Sequence, residues 1–382
     1  MDLLVHSAAG TFIGWALPQR WTGPGATRII VAAALLPDAD NLIPFLDPGS
    51  GFAHRGFTHS LCGVAVLTPA AALVAWRFSK EKRFARPLAW IAVAMLSHIV
   101  LDLPTLMGVR LFFPFSRAYV HLDFLGYLDW TLITLGLFVL LAAWTYANRS
   151  VSIRRGVLSA VLLSSLSWWL FSEWPTQAFS FAATVEEATE APFRTIYPLV
   201  LGATLLVLLV AFARKDWGFR QSRAVFGLMG IAAFSIYFVI CLTAQGIVLN
   251  QTRRFTRERG IVVWGRAASR MGYSSLVGPF RWTGLVLAPE GVYHARIAPF
   301  GTRDPTFTLF PSTTENPSLA RTRSVPEVRR FLSTARFPVT RYRVEKERSV
   351  VDYQEYGLSW RPLLRVELNE QLEVLAVGWI DH

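Results

Sequence analysis

Six apolar runs within the first 250 residues constrain this chain more than any other feature. They are "SLCGVAVLTPAAALVAW" (60–76), "PLAWIAVAMLSHIVLDLPTLMGV" (87–109), "TLITLGLFVLLAAWTYA" (131–147), "GVLSAVLLSSLSWWLF" (156–171), "TIYPLVLGATLLVLLVAFA" (195–213) and "AVFGLMGIAAFSIYFVICLTAQGIVL" (224–249). Crossing the hydrocarbon core takes roughly 20 residues of helix, and in lipid a helix is the one open-ended segment that satisfies its own backbone. Hydrophobic residues make up 53% of the 382, charged residues 17%, and the mean hydropathy is +0.37. The pattern predicts an α-helical polytopic membrane bundle of about six to eight helices over residues 1–249.

From about residue 250 the texture changes. A charged stretch, "RRFTRERGIVVWGRAASR", is followed by short alternating segments bounded by turn residues, such as "GVYHARIAPF", "RYRVEKERSVVDY" and "LLRVELNEQLEVLAVGW". Alternation over so few residues predicts strands, hence a small, mostly β extramembrane domain over 250–382. The amino terminus, "MDLLVHSAAGTFIGWAL", has no basic region before its apolar part and carries Asp2 and His6; it does not read as a cleaved leader. Cys62 and Cys241 both lie in apolar runs, which excludes a disulfide framework and a thiolate zinc site. Basic residues cluster in the loops between spans, as membrane orientation requires, so the net charge of +12 does not make nucleic acid an expected partner.

Charge also gives sidedness. The loop "RFSKEKRFARP" (77–87) carries five basic residues and is expected in the cytoplasm. Alternation then places 110–122 outside, "NRSVSIRRG" (148–156) inside, the acidic 173–194 outside, "RKDWGFRQSR" (214–223) inside and the carboxyl-terminal domain outside. The loop 47–58 falls outside as well. The apolar run 26–36 is too short to span unless it continues through "PDADNLIPFL".

Five of the seven histidines lie in the first 121 residues and alternate with acids: His6, then Asp38 and Asp40 in "PDAD", His54 and His59 in "HRGFTHS", His98 and Asp102 in "HIVLD", then Asp123 and Asp129. His98 and Asp102, four apart in a helical run, project from one face. The sidedness brings most of the set to the outer end of the bundle. Neutral imidazole and carboxylate are ligands of Zn²⁺ and related divalent ions, and ionisable groups at membrane depth are functional by default. A divalent metal, zinc foremost, is the expected cofactor, as one or two ions. His294 and His382 stand apart from the set.

The segments "HSAAG", "LLPDADNL", "HRGFTHSL", "SHIVLDLPTLMGVRLFFPFS" and "YLDW" occur in the order that resembles the bacterial membrane-bound metal-dependent hydrolases, the YdjM-like inner-membrane hydrolases. The resemblance covers roughly 1–131, and more loosely "GPFRWTGLVLAPEGVYHARI" and "FLSTARFPVTRY". It implies a multi-pass protein of the bacterial inner membrane and hydrolysis, with no named substrate. It also implies His6, Asp38, Asp40, His54, His59, His98 and Asp102 as metal ligands or their immediate neighbours, with Asp129 a further catalytic candidate. One departure is "DLPTLMG", which keeps Thr105 and Gly108 but inserts a proline.

The expected function is metal-dependent hydrolysis of an ester or phosphoester. Arg55 beside the ligands stabilises developing negative charge on a phosphate, or else is topogenic or bridges to Asp47. Thr58 and Ser60 are expected to cap the following helix. A site at the rim of a bundle suits membrane lipids or another amphiphilic substrate. Two alternatives remain: a metal or ion transporter, against which stands the confinement of the acids and histidines to the first third, and a non-catalytic scaffold with a structural metal. Oligomeric state is not legible.

Overall fold

The computed structural model describes residues 3–17, 25–42, 54–78, 81, 83–105, 107–126, 128–172, 203–204, 206–212, 216–264, 268–271, 274–275, 278–280, 282–356 and 363–380. The chain forms two compact units, one helical and one taking in Ala244–Arg270 and Phe280 onward.

The helical unit begins with α1 (Leu3–Ala16) and α2 (Ala26–Leu35). At 14 residues, α1 is about 21 Å long, short of a hydrocarbon core of about 30 Å. It lies close against α2 because Gly10 and Gly14, four apart, present no side chain there. A Cβ on Gly10 would stand 3.0 Å from the Ala34 Cβ, and one on Gly14 would stand 2.9 Å from the Thr27 Cα. This is the small-xxx-small approach that lets membrane helices pack backbone to backbone. The helices α3 (Leu61–Phe78) and α4 (Ala85–Asp102) follow, and Ile30, Ala34, Ala72, Ile91 and Met95 form the buried seam of α2, α3 and α4.

Next come α5 (Trp130–Tyr146), α6 (Ser152–Ser172), the short α7 (Trp217–Arg220) and the 36-residue α8 (Arg223–Glu258). Among the described residues, α3, α4 and α8 are long and apolar enough to cross a membrane, and α5 with α6 adds a fourth span if that bent pair is counted as one. The expectation of six to eight spans is thus met only to this extent. The runs at 131–147 and 156–171 are joined by a 111° bend. There Asn148 ends one helix and accepts from the Ser150 backbone N–H (3.0 Å) to start the next turn. Much of the 195–213 run and all of the acidic 173–194 segment, with Asp2, Asp47 and His382, lie outside the described residues. The helix α8 runs unbroken through residue 250, where composition suggested a boundary, because its helical hydrogen bonding continues into the charged "NQTRRFTRE".

The second unit is mostly β, as expected. One four-stranded sheet has the order Ala268–Met271, Trp282–Ala288, Gly291–Ile297, Thr308–Pro311; the other has the order Val374–Ile380, Leu363–Leu368, Arg348–Glu355, Pro338–Glu345. Pairing is antiparallel from Trp282 to Pro311 and throughout the second sheet. The strand Leu363–Leu368 alternates buried and half-buried residues. Its buried face packs Leu364, Val366 and Leu368 against Val328 and Phe331 of α10 (Pro326–Thr334), the helix after α9 (Pro317–Thr322). A period of two against a period of 3.6 gives this unit its core.

Candidate metal centre

Three helix ends meet in the helical unit. After α2 the chain tightens into a 3-10 turn, Leu36–Leu42, carrying Asp38 and Asp40. At three residues per turn, side chains two apart diverge by about 120°, so the two carboxylates reach opposite edges of one imidazole, that of His59. Asp38 Oδ1 lies 3.3 Å from His59 Nε2, and Asp40 Oδ2 lies 3.5 Å from His59 Nδ1. His59 itself ends the turn Phe57–His59, immediately before α3. Ser60 Oγ accepts from the Gly63 backbone N–H (2.9 Å), so the serine is the helix cap. From the last turn of α4 come His98 and Asp102, on one face as their spacing predicted.

Four donor atoms converge. His59 Nε2 and His98 Nε2 are 3.1 Å apart; Asp38 Oδ1 is 3.3 and 3.4 Å from them, and Asp102 Oδ2 is 3.5 and 3.6 Å from them. His59, His98 and Asp102 are fully buried, while the Asp38 side chain is 15% exposed and faces the rim. The tautomer of His98 is fixed: its Nδ1–H donates to the Ala34 carbonyl (2.7 Å), leaving the Nε2 lone pair directed inward. Two imidazole lone pairs and two carboxylate oxygens repel at these distances unless a positive charge lies among them. A single proton on one ring cannot serve all four atoms at once. A divalent cation can: ligands about 2.0–2.1 Å from a tetrahedral ion stand about 3.3–3.4 Å from one another, the spacing found here. The donor set therefore fits a metal ion.

The surroundings hold this set in place. Arg55 is buried, with its backbone in the left-handed region (φ 65°). Its guanidinium donates to Asp102 Oδ1 (3.2 Å), Thr105 Oγ1 (3.0 Å) and the Gly108 carbonyl (3.0 Å). The expected bridge to Asp47 cannot be traced in the described residues; the bridge present is to Asp102, which the clamp orients. The loop it grips tolerates the inserted Pro104, whose carbonyl accepts from Phe124 and Leu125. Gly108 adopts φ +60°, where a Cβ would stand 2.3 Å from the Val120 carbonyl oxygen. His6 stacks on His98 (centroids 3.8 Å apart, 14° between planes), with its Nε2 3.5 Å from Asp102 Oδ1. It is buried beside the four donors rather than among them.

A second group joins the first through His59. Asp40 accepts from His54 Nδ1–H (2.9 Å) at Oδ1 and from the Thr58 hydroxyl (2.5 Å) at Oδ2. Burial by itself would raise the Asp40 carboxyl, but hydrogen bonds from His54, His59 and Thr58 outweigh it and hold it below the usual carboxylate range. His54, one third exposed, stands at the rim. Thr58 does not cap α3 as anticipated, because Asp40 captures its hydroxyl. Asp129 lies outside both metal-capable groups. It caps α5 through the Leu132 N–H (3.1 Å) and accepts from the Tyr237 hydroxyl at both oxygens (2.9 and 2.8 Å). Asp123 is likewise in neither group. Sequence reasoning missed Tyr237 and the Ala34 carbonyl and gave Thr105 no role, since none of these belongs to a ligand-type residue pattern.

The model of a family described as YdjM inner membrane protein matches residues 1–185, which hold every residue of this centre. Among curated proteins, the chain is similar to the inner membrane protein YbcI of Escherichia coli (strain K12), 29% identical over 174 residues, covering 44% of this chain and 96% of YbcI. It is also similar to the uncharacterized protein YfhP of Bacillus subtilis (strain 168), 25% identical over 137 residues, covering 34% of this chain and 42% of YfhP. No solved structure matches.

Proposed function

We propose that the chain, whose residues 1–185 match the model of the YdjM inner membrane protein family, is a membrane-embedded metal-dependent hydrolase of an ester or phosphoester. The observation that carries this reading is the inward-facing set of two Nε2 atoms and two carboxylate oxygens at 3.1–3.6 Å, of which only the Asp38 side chain is partly exposed. His59, His98, Asp102 and Asp38 would hold one divalent ion, with zinc favoured by the mixed nitrogen and oxygen donors. When bound, such an ion supplies Lewis acidity and makes water a competent nucleophile near neutral pH.

The chain's own groups divide the remaining work. His59, His98 and Asp102 form a dry seat. Asp38, the least buried of the four, lies 4.0 Å from His54, whose ring Asp40 holds by a hydrogen bond. Arg55 keeps Asp102 turned toward the seat and serves as a positioning residue rather than a phosphate clamp, because its donors are taken up inside the protein.

The basic Arg77, Arg83 and Arg86 lie at the ends of α3 and α4 opposite to His59 and Asp102. Positive residues favour the cytoplasm, which supports a centre at the periplasmic face of the bacterial inner membrane. Beside the centre, the 103–125 loop exposes Phe112 and Phe115, which suits an amphiphilic, lipid-linked substrate.

One observation favours a second reading, a structural metal in a non-catalytic protein: four protein donors can close a tetrahedral ion without leaving an open position. Metal analysis and a panel of ester, phosphoester and lipid substrates on detergent-purified protein separate the two. The hydrolase reading expects about one metal per chain, turnover of at least one substrate class, and loss of both in His59→Ala and Asp102→Ala. Full metal occupancy in both variants would refute the ligand assignment. A metal-loaded wild type inert across the panel favours the structural reading.

A further inference from the structure

The four-donor seat leaves unexplained why the chain places a second carboxylate, Asp40, and a hydroxyl, Thr58, against the far edge of His59. Thr58 has one proton to give. Asp40 Oδ2 stands 2.5 Å from Thr58 Oγ1, and an ionised carboxylate only accepts, so the proton points at Asp40. The same oxygen of Thr58 lies 2.9 Å from His59 Nδ1. With its own hydrogen committed, it can act there only as an acceptor, which puts the ring proton of His59 on Nδ1 and the lone pair on Nε2, facing Asp38, His98 and Asp102. The other oxygen of Asp40 accepts from His54 Nδ1–H at 2.9 Å. Both oxygens of this nearly inaccessible carboxylate are therefore engaged by donors.

We propose that Asp40 and Thr58 are positioning residues that fix the tautomer and ring orientation of His59, so that the "PDAD" pair divides into one ligand, Asp38, and one orienting carboxylate, Asp40, around a single ion. The inference rests on the four-donor reading given above. It also states what the group Asp40, His54 and His59 is not. A second ion there would have to displace the Nδ1 proton of His59 and break the Thr58 and His54 hydrogen bonds together. Carboxylates behind ligating histidines act in this way at metal centres generally, and their removal costs about 10–100-fold in affinity.

The test is cobalt titration of the detergent-purified full-length chain, read by the d–d absorption of four-coordinate cobalt, with zinc competition for affinity. Wild type is expected to bind one ion per chain. Thr58→Val, nearly the same size, should weaken binding about 10–100-fold with stoichiometry unchanged, and Thr58→Ser should recover most of the loss because it returns the hydroxyl. Asp40→Asn should weaken binding by a similar factor and still take one ion, whereas His54→Ala should stay within about threefold of wild type. Rescue by serine distinguishes tautomer control from a general packing defect, which the smaller side chain would not repair. Thr58→Val binding as wild type does would overturn the proposal. So would two ions in wild type falling to one in Asp40→Asn. Asp102→Ala is the control for the underlying reading: cobalt bound equally well by that variant, or by no form of the protein, overturns the four-donor seat itself and the proposal with it.

Discussion

Replacing Arg55 with methionine should destabilise the metal-free protein more than the metal-loaded one. The guanidinium is buried and donates to Asp102 Oδ1 at 3.2 Å, Thr105 Oγ1 at 3.0 Å and the Gly108 carbonyl at 3.0 Å. Removing one partner of a buried ion pair costs about 3–5 kcal/mol, since the other charge is left without its counterpart in a medium that solvates it poorly. For a unit of this size, each kcal/mol moves Tm by about 2–4 °C. A loss of about 4 kcal/mol therefore lowers Tm by roughly 8–16 °C in EDTA-treated protein. An ion in the seat neutralises Asp102 from the other side. What remains lost is then the pair of hydrogen bonds to Thr105 and Gly108, and the deficit should be smaller with the ion bound. Differential scanning fluorimetry in detergent, with EDTA and with excess zinc, measures both. A drop of equal size in the two states would show that Arg55 does not answer to the charge at the seat, and a drop under about 2 °C in both would show that the pair is not structurally important at all.

Other perturbations separate scaffold from site. Tyr237→Phe removes the donor shared by both oxygens of Asp129 and should cost about 1.5–3 kcal/mol with metal content unchanged; loss of the metal would return Asp129 to the centre. Gly14→Leu should drive α1 off α2, because even a Cβ there meets the Thr27 backbone at 2.9 Å. The consequence is weaker metal retention through displaced His6 and His98, read by metal analysis after dialysis, and unaltered retention would argue against the close approach of those helices. In the β unit, Thr322→Val strands the buried Tyr353 hydroxyl, its partner at 2.6 Å. That should cost about 1–3 kcal/mol and speed amide exchange across 348–355, leaving the metal centre as it was.

The parts of the centre that could be read in the sequence are those whose chemistry is carried by residue type and regular spacing. His98 and Asp102 declare themselves because a helix of 3.6 residues per turn puts positions four apart on one face. His59 and Asp38 declare themselves because imidazole and carboxylate beside lipid demand a reason. Residues whose role depends on an accident of folding stay hidden: Thr58 reads as a helix cap until a 3-10 turn brings Asp40 to 2.5 Å, where it accepts the hydroxyl's hydrogen bond. Asp129 reads as a site residue in the "YLDW" segment, yet its carboxylate caps α5 and meets a tyrosine 108 positions away, a pairing that no local pattern encodes. The spans show the same division. Long apolar runs foretold helices, but whether two of them cross the membrane separately or form one pair bent by 111° turns on a few residues around Asn148, where hydropathy carries no signal. The centre's candidate donors are thus a property of composition and period, while their placement comes from hydroxyls, backbone carbonyls and one buried arginine that no ligand pattern points to. Mutations in that second set, rather than in the ligands, are where a metal-dependent hydrolase and a structural metal site should diverge. A structural ion needs only its four donors held together, whereas catalysis also needs His54 kept in register with the seat.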